Sequence, residues 1–339
     1  MTHIIIKSFN RPYYLDRCLQ SIYKFVNGNF KIIILDDGTP GEYLNKIKEK
    51  FPEVEIRLSE QYDQKIQAIQ ENLVSGKEID GFQIPTKLWY DTVKEASDYV
   101  LVTEDDVWFT QEIDLNEYRS AMKKFDLHLL KLGWLGKQEL DLTKFKALKS
   151  NDKILLQKLD DVFIANSWIM DLIFENKFKI YSLMYRLGWH KKMKLKKYWK
   201  LNSIMMGLWK KEYWLYVWKD VDQRVDEKVQ LRNAAVWLHK HKPKKIIVST
   251  SQNFLRTIFQ SSATISYYKY GHKFDVNYFN HLMNEAWIEG KFDSMKDFPN
   301  DFTINYFEKF MDDNIDKKEF HLWVENFKNQ YRKSGYLID

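Results

Sequence analysis

An apolar segment that ends in three consecutive acids constrains this sequence more than any other feature. Tyr99–Val102 is followed by one threonine and then by Glu104, Asp105 and Asp106. A continuous apolar run of this length is typical of an interior strand of a parallel sheet, since both faces of such a strand are covered. Open α/β sheets bind their ligands at the carboxyl ends of these strands. Three adjacent carboxylates either bind a cation or a donor-rich ligand, or form a solvent-exposed turn. For an isolated acidic triplet the solvent-exposed turn is the commoner case.

Short apolar runs alternate with helical segments along the first half of the chain. Ile4–Ile6 precedes the helix-like segment Tyr13–Phe25, Lys31–Leu35 precedes a second helical segment, and Val54–Leu58 follows it. This alternation predicts a parallel sheet with right-handed crossover helices. We expect an α/β fold with a mostly parallel, Rossmann-like sheet flanked by helices, and a helical C-terminal extension.

Two other predicted strands also end in polar residues. The first is followed by Ser8, Asn10 and Arg11, and the second by Asp36 and Asp37 ahead of a glycine. Because the carboxyl ends of parallel strands meet at one edge of a sheet, these side chains are expected near the acidic triplet. The three clusters together favour a ligand site over a solvated turn.

Length and composition exclude several classes of protein. With 339 residues and 45% hydrophobic residues, the chain can form one large α/β domain or two smaller ones. Its single cysteine, Cys18, excludes an internal disulfide and a cysteine-based zinc site. The amino terminus lacks the pattern of a secretory signal, and no apolar stretch is long enough to span a bilayer. We therefore expect a cytoplasmic location, with peripheral membrane contact as one option.

The polar strand ends resemble those of GT-A glycosyltransferases, especially family 2, in which a strand ends in Asp-Asp-Gly-Ser/Thr. The matching residues here are Asp36–Thr39. The acidic triplet is similar to the DXD metal motif of these enzymes, and its Glu-Asp-Asp form resembles that of the N-acetylglucosaminyltransferase that initiates complex N-glycans. Gly207–Trp209 and Trp218–Arg224 are similar to two later segments of that enzyme, and the second also resembles the Glu-Asp-x-Asp motif of family 2.

The resemblance covers residues 1–135 well and residues 204–285 loosely, whereas the stretch between them matches no family pattern. It implies a GT-A type fold with three parts. These are a nucleotide-sugar-binding half at 1–135, an acceptor-binding and catalytic half at 136–285, and a helical extension at 286–339.

The resemblance also implies roles for individual residues. A divalent cation that bridges the donor phosphates stabilises the leaving group, and Mn²⁺ or Mg²⁺ accepts carboxylate, phosphate and water oxygens. Asp106 would bind this ion, Glu104 would face the ribose, and Asp105 would support them. The nucleotide pocket would be formed by Ser8, Asn10, Arg11, Asp36 and Asp37.

The second half of the chain provides candidates for a base and for a further metal ligand. Inverting transfer needs a carboxylate near the acceptor hydroxyl, and we select Asp220, with Asp222 in reserve. Lys219 stands where the related families have an acid, so Asp220 as an ordinary helix-capping residue stays open. His272 is the candidate for a third metal contact, although a lone histidine is more often a surface or packing residue.

Aromatic residues in the second half could bind the acceptor sugar. Trp134 and Trp209 are the candidates, since aromatic faces stack on sugar rings. The chain has twelve tryptophans, and for any one of them packing in the core is the commoner role.

The segment 177–211 contains eleven Lys and Arg residues and no Asp or Glu. Because the whole chain is only +6, the remainder is net acidic and the positive charge is local. The segment could be a solvated helix face, a site for an anionic acceptor, or a surface that contacts anionic lipid. Nucleic acid is excluded as a partner because no recognisable binding module is present.

Together these features predict a metal-dependent GT-A glycosyltransferase. It would move a sugar from a nucleotide-diphosphate donor, with UDP preferred, to a glycan or lipid-linked glycan, with inversion, in surface-polysaccharide synthesis. One alternative is a non-catalytic GT-A-like protein that binds an anionic partner or membrane through residues 177–211. The other is a sugar nucleotidyltransferase. Such an enzyme normally has a Gly-rich loop with a lysine after the first strand, and this sequence has no such loop there.

Overall fold

A computed structural model shows how the chain folds. It describes residues 1–79, 81–133, 141–148, 151–203, 206–241, 246–262, 274–333 and 338. The strands within these ranges are β1 (Thr2–Ser8), β2 (Val26–Asn27), β3 (Phe30–Asp36), β4 (Glu55–Leu58), β5 (Tyr99–Glu104), β6 (Val107–Phe109), β7 (Ile113–Asp114), β8 (Leu129–Lys131), β9 (Phe145–Leu148), β10 (Asn151–Gln157), β11 (Gly207–Lys210), β12 (Ile247–Thr250) and β13 (Leu255–Thr257).

Helices account for most of the other described residues. They are α1 (Pro12–Phe25), α2 (Gly41–Lys50), α3 (Tyr62–Ser75), α4 (Thr86–Glu95), α5 (Leu115–Lys124), α6 (Ser167–Phe174), α7 (Ile180–Arg186), α8 (Leu195–Tyr198), α9 (Lys211–Trp218), α10 (Glu227–His241), α11 (Val276–Ile288), α12 (Ile304–Phe307) and α13 (Lys317–Lys333). None of the helices in the described ranges combines the length and apolar content needed to cross a bilayer.

A nine-stranded sheet with the order β4-β3-β1-β5-β11-β8-β12-β10-β9 forms the centre of the fold. Its first four strands are parallel, with Ile5 of β1 opposite Ile33 of β3 and Val102 of β5. Beyond β5 the sheet is mixed, since β11 is antiparallel to both of its neighbours while β12 is parallel to β8. The predicted α/β fold with a Rossmann-like sheet is confirmed, with antiparallel strands added in the second half.

Burial explains why the central strands are uniformly apolar. Ile4, Ile5 and Ile6 of β1 are all 0% exposed. Successive side chains of a strand point to opposite faces, and Ile4 and Ile6 belong to one hydrophobic cluster while Ile5 belongs to the other. Both faces of the sheet are covered at Ile4–Ile6, so a polar side chain at these three positions would be buried.

The C-terminal helical segment is fixed to α1 by a buried arginine. Arg17 donates to the backbone carbonyls of Ser294, Lys296 and Asn300 at 2.6 to 2.9 Å. Its guanidinium lies 4.6 Å from the ring centre of Trp108 and 4.0 Å from that of Phe302. These contacts satisfy a charge that is otherwise expensive to bury, and they bring the C-terminal segment against the helix that follows β1.

Candidate active site

The three polar clusters meet at one edge of the sheet, as expected from the sequence. Ser8 at the end of β1 is opposite Asp36 at the end of β3, and Lys7 is opposite Glu104. Backbone hydrogen bonds continue the pairing beyond the strands, from Asp37 N to Ser8 O at 3.1 Å and from Asp105 N to Lys7 O at 2.9 Å. This register places the acids of β5 directly beside the residues that follow β1.

Arg11 holds the second and third acids of the triplet together. It lies immediately before α1, and its Nη2 donates to Asp105 Oδ1 at 2.6 Å and to Asp106 Oδ2 at 3.0 Å. Asp105 also accepts a hydrogen bond from Phe9 N at 3.2 Å. Burial raises the pKa of Asp105 to about 7 and also raises the pKa of Asp106, while Arg11 opposes both shifts.

Some hydrogen-bond donors of Arg11 have no acceptor among the described residues. Arg11 Nε and Nη1 are buried without a hydrogen-bond partner in the described part of the chain. The Asp106 side chain is 16% exposed, whereas the Asp105 side chain is 2% exposed. Buried N–H donors are costly to leave unpaired, so the site favours an anionic ligand beside Arg11 and a cation at Asp106.

Glu104 has a different neighbour from the other two acids. Lys7 Nζ donates to Glu104 Oε1 at 2.6 Å. The same ammonium lies 4.7 Å from the ring centre of Trp89 and 5.8 Å from that of Trp218. Lys7 was not identified from the sequence, because a lysine inside a strand is not distinguishable there from an ordinary surface residue.

Asp36 serves the turn after β3. Its Oδ1 accepts hydrogen bonds from Gly38 N and Thr39 N, and its Oδ2 accepts one from the Thr39 hydroxyl. The side chain is fully buried, which raises its pKa to about 6 despite these hydrogen bonds. Both oxygens thus hold the turn after β3, and a contact between Asp36 and the nucleotide stays a prediction.

Asp37 is fixed by Lys65 on one of its two oxygens. Its Oδ2 accepts a hydrogen bond from Lys65 Nζ at 2.6 Å, and its Oδ1 is buried with no partner among the described residues. Burial raises the Asp37 pKa, and Lys65 opposes the shift. Lys65 is itself 4% exposed and was missed in the sequence, since nothing separates it from the other polar residues of α3.

The Asn10 side chain also forms hydrogen bonds within the fold. Its φ is 48°, a conformation that asparagine tolerates better than most residues. Its Nδ2 donates to Asn277 Oδ1, and its Oδ1 accepts from Asn284 Nδ2 at 3.0 Å. The Asn10 side chain therefore connects the β1 edge to α11, and its place in the nucleotide pocket stays a prediction. Ser8 Oγ is buried and unpartnered within the described residues.

The predicted base lies on the surface. The Asp220 side chain is 51% exposed and forms long ion pairs with Lys219 at 3.7 Å and with Arg232 at 4.0 Å. Asp222 is also exposed. In the described residues no hydrogen bond or ion pair connects either acid to the triplet. Asp220 and Asp222 belong to the loop that follows α9. The last residue of α9, Trp218, approaches the site, because its ring centre lies 5.8 Å from Lys7 Nζ.

Of the two acceptor candidates and the third metal ligand, the structure describes only Trp209. Trp209 is 1% exposed and packs in the core beside Tyr213, which is the commoner role of a tryptophan, and its contact with an acceptor sugar stays a prediction. Its position in β11, inside the sheet, explains this burial. Trp134 and His272 lie outside the described residues.

A divalent cation fits the triplet only through a small number of protein oxygens. Both oxygens of Asp105 accept hydrogen bonds, from Arg11 and Phe9 N, whereas Glu104 and Asp106 each keep one carboxylate oxygen that no other described residue contacts by a hydrogen bond. No cluster of three His, Cys, Asp or Glu suited to a metal is present within the described ranges. Mg²⁺ and Mn²⁺ suit such a site, because they accept one or two carboxylates together with phosphate oxygens and water.

Comparison with known proteins agrees with this arrangement. Residues 3–72 match the model of the family described as Glycosyl transferase family 2. No curated protein matches the chain.

Several solved structures are similar to the whole chain or to part of it. The chain is 12% identical to S. aureus TarS 1-349 in complex with UDP, over 98% of this chain and 92% of that one, with a TM-score of 0.43. For the same protein in complex with UDP-GlcNAc the identity is 11%, the coverage 98% and 92%, and the TM-score 0.41. Glucosyl-3-phosphoglycerate synthase from Mycobacterium tuberculosis, in complex with Mn²⁺, UDP and phosphoglyceric acid, is 12% identical over 39% of this chain and 42% of that one, with a TM-score of 0.24.

The family match covers part of the site and does not reach the acidic triplet at 104–106. It contains β1, β3 and β4, together with the polar residues that follow the first two of these strands. The match to the Glycosyl transferase family 2 model is thus limited to residues 3–72, which include Ser8, Asn10, Arg11, Asp36 and Asp37.

Proposed function

We propose that this protein transfers a sugar from a UDP-sugar to a glycan or lipid-linked glycan acceptor, with Mn²⁺ or Mg²⁺ as cofactor and with inversion at the anomeric carbon. The observation that carries the proposal is the buried cluster of Arg11, Asp105 and Asp106 at the carboxyl edge of the sheet. It offers unpartnered N–H donors and a carboxylate oxygen side by side, which is what a diphosphate with its cation requires.

Each residue of the cluster has a distinct part in binding the donor. Asp106 would hold the cation, which when bound neutralises charge on the diphosphate leaving group. Arg11 would donate its free N–H groups to phosphate oxygens, and Asp105 would keep the guanidinium in place. Asp37 would accept a hydrogen bond from the base or ribose, with Lys65 fixing its carboxylate.

Asp220 is proposed as the general base. Its exposure leaves it accessible to an acceptor hydroxyl, and the neighbouring Trp218 approaches the Lys7 and Glu104 pair. Closure of the loop on acceptor binding would bring the carboxylate to the hydroxyl, since catalytic contacts often tighten only in the complex. In this proposal residues 1–135 bind the donor, 136–285 bind the acceptor, and the enzyme works in the cytoplasm on a surface polysaccharide.

Thermal unfolding with ligand tests the donor site. UDP is expected to raise the melting temperature only with Mn²⁺ or Mg²⁺ present, because binding to the folded state alone stabilises it. Asp106→Ala should remove the shift, whereas Asp63→Ala, an exposed acid in α3, should keep it. Equal stabilisation by UDP in EDTA would show that the metal role of Asp106 is wrong.

A second experiment tests the base. Asp220→Asn should keep the UDP-dependent thermal shift and lose transfer, while Asp222→Asn should retain transfer. The anomeric configuration of the product, read by NMR, decides inversion. Full transfer by Asp220→Asn would exclude this residue as the base.

A further inference from the structure

Exposed apolar side chains are concentrated in one short part of the chain. Six of the large hydrophobic side chains that are exposed in the described residues fall between positions 168 and 195, and eight are spread over the rest. Those six are Trp168, Phe178, Leu183, Tyr185, Leu187 and Leu195. Phe178 is 87% exposed and Trp168 is 68% exposed. A cluster of this kind marks an interaction surface, whereas single exposed apolar residues do not.

The fold explains why these side chains point outward. Helix α6 packs on α10, and α7 packs on α6 and on the short 3-10 helices at 177–179 and 189–192. Leu183 and Leu187 are four residues apart, so they lie on the same face at the end of α7. The segment therefore packs on α10 through α6 and leaves the six apolar side chains exposed.

The same segment presents positive charge that the protein does not neutralise. Six exposed basic residues have no ion-pair partner among the described residues, namely Lys179, Arg186, Lys191, Lys192, Lys194 and Lys196. Lys177, Lys197 and Lys200, by contrast, pair with Glu175 or Asp161. Free cations thus alternate with exposed apolar groups over about thirty residues, while the remainder of the chain is net acidic.

We propose that residues 168–196 form a docking surface for an anionic membrane. Lysine and arginine attract acidic headgroups, while tryptophan, phenylalanine and leucine insert at the boundary between headgroups and acyl chains. Five of the six free cations are lysines, which act as point charges toward a diffuse negative surface, whereas recognition of one defined phosphate favours the planar arginine fork. An acidic protein partner would also bury exposed apolar groups, and it is the reading that failure to bind anionic vesicles would favour.

This surface extends the proposed function without depending on it. A lipid-linked acceptor is held at a membrane, so a protein docked there would meet it at high local concentration. Membrane binding itself needs neither donor nor acceptor, and it can therefore be measured separately from transfer.

Vesicle flotation of the full chain tests the proposal. The protein is expected to float with vesicles containing about one third phosphatidylglycerol and not with pure phosphatidylcholine, and binding should weaken as salt rises. Lys194→Glu/Lys196→Glu should reduce binding at least tenfold, since each basic residue near such a surface contributes roughly a factor of five. Lys317→Glu/Lys318→Glu, an exposed pair at the start of α13, is the matched control and should bind like wild type.

The apolar contribution is tested by Leu183→Ser/Leu187→Ser, which should reduce vesicle binding at low salt while leaving the net charge unchanged. Circular dichroism of each variant verifies that the fold is kept. The proposal is overturned if the wild type does not float with the anionic vesicles, or if both surface variants float like the control pair. Thermal unfolding of the same variants with UDP and Mn²⁺ tests donor binding separately. A thermal shift that is kept in all variants would show that their loss of vesicle binding is not a loss of donor binding.

Discussion

Arg11 Nη2 lies 2.6 Å from Asp105 Oδ1, and both side chains are almost completely buried. Removing the cation from such a pair leaves an uncompensated carboxylate in the interior, which typically costs about 3 to 5 kcal/mol of folding free energy. Arg11→Met is therefore expected to lower the free energy of unfolding by that amount in urea titration. Arg57→Met, in a more exposed ion pair with Glu95, should cost less than about 1 kcal/mol. Similar losses in the two variants would contradict this account of Arg11.

Lys65 and Asp37 form a second pair that is expected to act as a unit. A hydrogen bond between charged groups contributes about 1.5 to 3 kcal/mol, and the two groups lie 2.6 Å apart in a mostly buried position. Lys65→Met and Asp37→Asn should therefore each destabilise the protein, and the double variant should lose less than the sum. Urea unfolding of the four proteins in a double-mutant cycle gives the coupling energy. Additive losses would show that the contact contributes nothing to stability.

The strand ends were predictable because their signal is local. An apolar run followed by polar residues predicts the end of a buried strand, and three such ends in an α/β pattern predict a shared edge. The structure confirms β1, β3 and β5 and brings the residues after them together. What the sequence left open was how the side chains at that edge are divided between the ligand and the fold.

That division depends on residues far away in the chain. Asn10 is held by Asn277 and Asn284, more than 260 positions later, and no local pattern reveals such a partner. Trp209 is buried because β11 is an interior strand of the sheet. Its neighbours in the sheet, β5 and β8, are likewise distant in sequence. The contacts of Asn10 and the burial of Trp209 are therefore set by segments that are distant in the sequence, not by local propensity.

Substitution of Asn10 separates backbone strain from lost hydrogen bonds. Asn10→Gly keeps the positive φ accessible but loses the contacts to Asn277 and Asn284, at about 1 kcal/mol each. Asn10→Ala loses the same contacts and adds about 1 to 2 kcal/mol for the left-handed conformation. Urea unfolding should therefore give the order wild type, then glycine, then alanine. An alanine variant as stable as the glycine variant would show that the backbone conformation is not a source of strain.

A buried histidine is expected to make stability depend on pH. Trp237 Nε1 donates to His128 Nδ1 at 2.9 Å, and His128 Nε2 has no hydrogen-bond partner in the described residues. Burial lowers the His128 pKa to about 4; Lys210 and His241 also lower it, while Asp126 at 3.6 Å raises it. The folded protein therefore holds His128 neutral over a range in which the unfolded chain binds a proton.

The sign follows from which state binds the proton. Above the unfolded pKa of about 6.5 both states are neutral and the full stability is present. As the pH falls from there towards 4, only the unfolded chain is protonated, and up to about 3 kcal/mol of stability is lost. Urea unfolding at neutral pH and near pH 5 should show this loss, and His128→Gln, whose amide oxygen can still accept from Trp237, should reduce it. An unchanged pH dependence in that variant would assign the loss to other groups, because glutamine does not titrate in this range.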